Sequence, residues 1–463
     1  MADRSYIQFG RAAQANGGRS QIRIATIAIV ASLIVAALVV VNHRPARPQR
    51  VHPLRVASAP PDEADEGPPD TMPPVFVPPD GYKRAAEFMG SPKSPAPTTS
   101  TTQAPPRPRP HQVCPSSWAQ SGFDAAQTHD NAEECTLTAA AVGAQRPTPR
   151  WRSSLPGPLV GSPAVARGRV VVASADQTVT AFDAANGRVL WKTPVAHVRT
   201  GPSVDGGRVL VGGADGTLSA LDESSGRALW ATAMLPNNDG IISITVSNGR
   251  VYVAGGAGLA AADEAGGRLA WQTVTHNVVL DPPAVVGSTV VAGGRWGVVA
   301  YGPDLFAFDA DTGAELWSKS VNLMAITPVG WGTKVVYGAY GDGISVADPR
   351  TGAVERTIST GGSDGGLALA GTKLIMAGGG LTAIDLATGR QLWTTYATPA
   401  TSVPTIAGDV AWVSPNNGIA VDLSTGREIA WFPEWGSNPA VAGGSLYVPE
   451  RLTDTWSLAA YGY

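Results

Sequence analysis

From residue 151 onward the chain alternates short apolar runs with glycine-bearing turns, and no segment keeps the 3.6-residue period of an amphipathic helix. Val170-Val171-Val172, Val209-Leu210-Val211 and Val251-Tyr252-Val253 each follow a turn and read as strands. A second element recurs as Phe182-Asp183 to Trp191, with Gly187 four and Trp191 eight positions after the Asp. Four more full copies are Asp222-Gly226-Trp230, Asp263-Gly267-Trp271, Asp309-Gly313-Trp317 and Asp385-Gly389-Trp393. Asp348 to Arg356 lacks the Trp, and Asp422 reaches Trp431 one position late. Counted from Trp151, the unit ends lie 40, 39, 41, 46, 39, 37 and 38 residues apart. A period near 40 with four short strands per unit predicts a β-propeller.

Blade number follows from the two ends. Residues 152 to 463 make eight units of 39, yet only 32 residues follow Trp431. The last unit therefore lacks its outer strand, and the strand carrying Trp151 is the one left over. The expected fold is all-β, an eight-bladed propeller of four-stranded blades over 146–463, closed by an N-terminal strand that completes the C-terminal blade. Asp and Gly of the repeat suit a tight turn, and Trp supplies an apolar face between blades.

The N-terminal quarter is a different polymer. Ile24 to Val41 is 18 residues without charge, Pro or Gly, about 27 Å of helix, enough to cross a bilayer. A transmembrane helix is expected over 23–41, as an uncleaved anchor, with 1–22 as a cytoplasmic tail and the remainder outside. Eighteen of the 38 prolines fall between Asn42 and Val113, so 42–112 reads as a disordered Pro-rich stalk. Cys114 and Cys135, the only cysteines, lie in a lead-in segment, 113–145. In an oxidising compartment they are expected to pair as a disulfide.

The repeat resembles the PQQ-type β-propeller unit of quinoprotein alcohol dehydrogenases and of the BAM outer-membrane assembly lipoprotein. Six Lys against 28 Arg fits a GC-rich genome such as an actinobacterium's. The enzymes of this resemblance hold PQQ at the channel mouth, with Ca²⁺ on carboxylate and amide oxygens, a catalytic Asp and a disulfide between adjacent cysteines. This chain has no adjacent cysteines. Of the positions that should approach its channel, Gly161, Thr200, Ile242, Asp281, Ile326, Asp364, Ser402 and Ser437, only Asp281 and Asp364 are acidic. They sit two blades apart, which is poor geometry for a hard cation. No catalytic set, metal site or cofactor is expected.

Charged residues make up 15% of the chain and the net charge is -3, which argues against nucleic acid as a partner. The expected role is a membrane-anchored, extracytoplasmic, non-catalytic scaffold for envelope or membrane proteins in cell-envelope assembly or transport. The alternatives are a PQQ-dependent dehydrogenase and a small-molecule sensor using the funnel. Candidate partner contacts are Arg295, Trp296 and Tyr301 in the longest unit and Trp435 after the shifted repeat, since aromatics with Arg are enriched at interface hot spots.

Overall fold

The computed structural model describes residues 117–463 apart from 237–239, 257, 276–277, 297–303, 322–326, 340–342, 361–365, 397–401, 415–417, 433–434, 436, 438 and 453. The expected transmembrane helix, the stalk, Cys114, Tyr301 and Asp364 lie outside these residues. Among the described residues no helix is long and apolar enough to cross a membrane.

Eight antiparallel sheets form the blades. Blade 1 runs Ala164–Ala166, Arg169–Ser174, Thr178–Asp183 and Val189–Pro194, from inner to outer strand, and the other blades repeat that order. Neighbouring inner strands touch one another round the axis, blade 8 meeting blade 1. The ring is closed as the unit arithmetic predicts. Thr148–Leu155 pairs antiparallel with Thr455–Gly462 as the outer strand of blade 8, in register from Thr148 opposite Gly462 to Leu155 opposite Trp456.

The strands do not all alternate. In blade 2, Val209 and Val211 pack toward blade 1 while Leu210, between them, packs toward blade 3. A middle strand is buried on both faces, so its apolar run is continuous. Alternation survives on outer strands, where Leu190 is exposed, Trp191 buried and Lys192 exposed. The reason is position: only the outer edge of each blade meets water.

Repeat residues lock each blade to the next. Asp183 accepts the Ala185 N–H on its side chain (2.9 Å) and the Gly187 N–H on its carbonyl (2.8 Å). That turn holds Gly187 at φ 73°, face to face with the Trp151 ring of the preceding blade, where a Cβ would come within 2.5 Å of the indole. Trp191 lies against Gly226 in the same way and donates Nε1–H to the Glu223 carbonyl at 2.9 Å. Trp151, Trp271, Trp317 and Trp393 each donate to the corresponding carbonyl of the following blade. Where blade 5 has Arg356 instead of Trp, its guanidinium donates to the Ala387 carbonyl of blade 6 at 3.0 Å. The seam is kept while the ring is lost.

Trp191→Ala should lower unfolding stability by about 3–5 kcal/mol, because a buried indole and its hydrogen bond are both removed. Trp431→Ala, at a ring 46% exposed, should cost about 0.5 kcal/mol. Guanidinium denaturation of the two variants checks the difference.

Candidate functional site

The segment read from sequence as a lead-in to the propeller runs inside it. Trp118 exchanges backbone hydrogen bonds with Val165 of the blade 1 inner strand, at 2.8 and 2.7 Å. The inner-strand N–H groups of Val204, Val285, Gly330, Leu369 and Ile406 then donate to the carbonyls of Ala119, Ala125, Ala126, Thr128 and His129, all at 2.7–2.8 Å. These lie in blades 2, 4, 5, 6 and 7. Two side chains complete the circle. Gln120 accepts from Val246 N–H at 2.8 Å and donates to its carbonyl at 3.3 Å in blade 3. Asn131 donates Nδ2–H to the Val441 carbonyl of blade 8 at 2.7 Å.

Fourteen residues, 118 to 131, thus contact the middle of all eight inner strands in order. A chain this short must turn tightly to do so, and Gly122, Phe123, Gln127 and His129 all take positive φ (78°, 71°, 58° and 56°). After Asn131 the chain leaves the axis over blades 7 and 8. Gly408 N–H donates to the Asn131 carbonyl at 3.1 Å, and Glu134 accepts the Gly444 N–H at 3.0 Å. The short helix Ala139–Ala144, capped by Thr138, buries Val142 with Leu137, Trp412 and Val441 before the chain becomes the outer strand of blade 8.

A cavity opens beside this hub. About 400 Å³ in volume, it is lined by Phe123, Asp124, Thr128, Asp130, Glu133 and the Trp331 and Gly371 turns. Burial raises the pKa of Asp124, against hydrogen bonds from Thr128. Burial, then the Asp124 charge, pushes Asp130 up to about 7. His129 retains some exposed surface, but it is walled by the inner ring and burial lowers it to about 4, so it is neutral at pH 7.

The sequence-level candidates are dispersed. Trp435 is 3% exposed and stacks on Phe432 at 4.4 Å, with Trp412 and Tyr461 against it; its ring is engaged in packing between blades 7 and 8. Arg295 and Trp296 end the long strand Thr289–Trp296, opposite Val279 and Val278 of the added strand Val278–Leu280. Asp281 is 9% exposed, and its N–H donates to the Gly293 carbonyl at 2.9 Å. Cys135 is not a free thiol. What sequence reasoning missed is Gln120 and Asn131; the available signal was three carboxamides, Gln120, Gln127 and Asn131, within fourteen residues.

The family model for outer membrane protein assembly factor BamB, PQQ_2, matches residues 137–200, 179–395 and 259–457. The chain belongs to this family. It is similar to outer membrane protein assembly factor BamB of Shewanella oneidensis, 28% identical over 234 residues, 46% of this chain. That match spans just over half, 56%, of the curated relative's length. Among solved structures, BamB from Moraxella catarrhalis superposes with a TM-score of 0.56 at 20% identity, covering 68% of this chain and all of that one. Quinohemoprotein alcohol dehydrogenase from Comamonas testosteroni gives 0.59 at 14% identity over 75% of this chain and 80% of that one. At such identities the structures share the fold.

Among the described residues, the mid-points of the inner strands are bonded to the protein's own backbone and carboxamides, which leaves no room for a planar quinone ring at that level of the axis. Among the described residues no three His, Cys, Asp or Glu side chains are grouped to hold a metal ion.

Two measurements test the hub. Gln120→Leu strands the buried N–H and C=O of Val246 and should cost about 1–3 kcal/mol in chemical denaturation. Asp130 binds its proton more tightly folded than unfolded, so between pH 4 and pH 7 the folded state holds protons that the unfolded state has lost. Its contribution to stability therefore falls as pH rises through that window. Asp130→Asn should be neutral at pH 4 and more stable than the parent at pH 8, and thermal melts at the two pH values read the difference.

Proposed function

We propose that this protein is a non-catalytic binding scaffold of the cell envelope, anchored by the apolar segment 23–41 and carried outside the cytoplasmic membrane on the Pro-rich stalk. The observation that supports the reading is the threaded axis. A propeller whose inner-strand mid-points are occupied by its own chain has its loops and rim left for partners. Membership of the BamB family points the same way, toward protein partners in the assembly or transport of envelope components. The named relative is an outer membrane protein assembly factor, and a comparable task is the role assigned here.

One feature fits an extracytoplasmic placement. Cys135 is not a free thiol, and a bridge to Cys114, the one other cysteine, would tie the end of the stalk to the segment leaving the hub. Arg295 and Trp296, at the end of the longest strand of blade 4, with Tyr301 after them, remain the proposed partner contacts.

Photo-crosslinking from position 296 in intact membranes should yield discrete adducts with envelope proteins, identified by mass spectrometry, while the same crosslinker at Val189 should not. Reconstitution with PQQ and Ca²⁺ should give no dye-coupled alcohol oxidation. Turnover in that assay, or identical adducts from both positions, would overturn the scaffold reading.

A further inference from the structure

Blade 6 departs from the repeat beside a cavity. The hairpin between its second and third strands is Gly378-Gly379-Gly380, closed by Gly378 N–H to the Gly380 carbonyl at 2.9 Å. At the same place blade 1 has the five residues Ser174 to Thr178, and Asp176 of that turn holds Lys192 of the outer strand at 3.2 Å. In blade 6 the residue after the outer-strand Trp, the counterpart of Lys192, is Thr394. A turn two residues shorter, made of glycine, with no ion pair across it, leaves a cavity of about 260 Å³. It lies at the opposite end of the blade from Gly371 and the hub.

The described lining is rich in groups that both donate and accept. Thr360, Thr382, Gln391, Thr394 and Tyr396 surround the glycines, and no Asp, Glu, Lys, Arg or His is among the described residues of the wall. The Thr382 and Thr394 hydroxyls share a single hydrogen bond of 3.1 Å, which leaves each with unused capacity. Thr360 Oγ1 is shielded from solvent and has no hydrogen-bond partner among the described residues. At the rim, Tyr396 is 81% exposed, against 52% for the next most exposed large hydrophobic side chain, Val189.

We propose that this cavity binds a neutral saccharide unit. A sugar ring offers a C–H face that lies on an aromatic ring and a rim of hydroxyls that donate and accept at once. Tyr396 supplies the first complement, and Thr360, Thr382, Gln391 and Thr394 the second. The cavity is smaller and more polar than pockets for apolar ligands, which points to one ring at a time. The site stands on blade 6 alone and holds whether or not the scaffold reading does.

The test uses the full chain in lipid nanodiscs, free of glycoside detergents, and saturation-transfer NMR with the methyl glycosides of glucose, galactose, mannose, N-acetylglucosamine and arabinofuranose. At least one should show transfer, with binding about tenfold weaker in Tyr396→Ala and retained in Tyr396→Phe. Gly379 has open space where a Cβ would stand, so Gly379→Leu should fill the cavity and abolish transfer while leaving the thermal melt unchanged. No transfer from any of the five, or transfer unaltered in both Tyr396→Ala and Gly379→Leu, overturns the site. Binding of a proline-rich peptide such as residues 104–110 in place of every glycoside would overturn it as well.

Discussion

Every inner strand of a propeller has one edge paired within its blade and one edge facing the axis, and the axial edge carries backbone groups that need partners. In this protein a single stretch of chain answers for all eight. The constraint is demanding because eight strands arranged on a circle present their mid-points at different directions, and one extended segment can face only a few of them. The chain meets it by curling through positive φ at Gly122, Phe123, Gln127 and His129, and by using the carboxamides of Gln120 and Asn131 where the backbone runs too far from the strand. A carboxamide is a peptide unit on a tether: Gln120 supplies both an acceptor and a donor to Val246, and Asn131 a donor to Val441.

The rest of the architecture hangs from this hub. The segment that begins at the axis leaves it between blades 7 and 8, forms a one-turn helix over Trp412 and Val441, and ends as the outer strand of blade 8. Axis and rim are thus tied by one continuous piece of chain. Closure by the outer strand alone joins blade 8 to the N-terminus, whereas closure through the hub touches every blade. In this fold, shared with quinone-dependent dehydrogenases, the mid-points of the inner strands are taken up by the chain's own segment 118–131.

Titration in the hub follows the same geometry. Carboxylates and an imidazole brought into a ring of inner strands lose water without gaining ionic partners. Burial raises Asp124 and Asp130 and lowers His129, so all three move toward their neutral forms. A hub of neutral groups is compatible with its dense backbone pairing; a charged one would be in tension with it.

Blade number, blade order and the closing strand were legible in the sequence because they depend on local chemistry repeated many times. Asp at the turn, Gly at φ near 70° and Trp eight residues after the Asp each do a job that needs no knowledge of the rest of the chain, and five full copies make the period unmistakable. The failure of one copy was legible too, though Arg356 taking over the donor role from a Trp was not. The path of residues 118–131 could not be read that way. Its meaning lies in hydrogen bonds to strands as many as 310 positions away, such as Asn131 to Val441, and a carboxamide that spans a gap looks in sequence like any surface Gln or Asn. Trp435 makes the converse point: an aromatic after an irregular repeat suggested an exposed contact, and only the meeting of blades 7 and 8 buries it. Local conformational preference determined the blades. What fills the space enclosed by them was decided by the tertiary structure, because only closure of the ring creates that space.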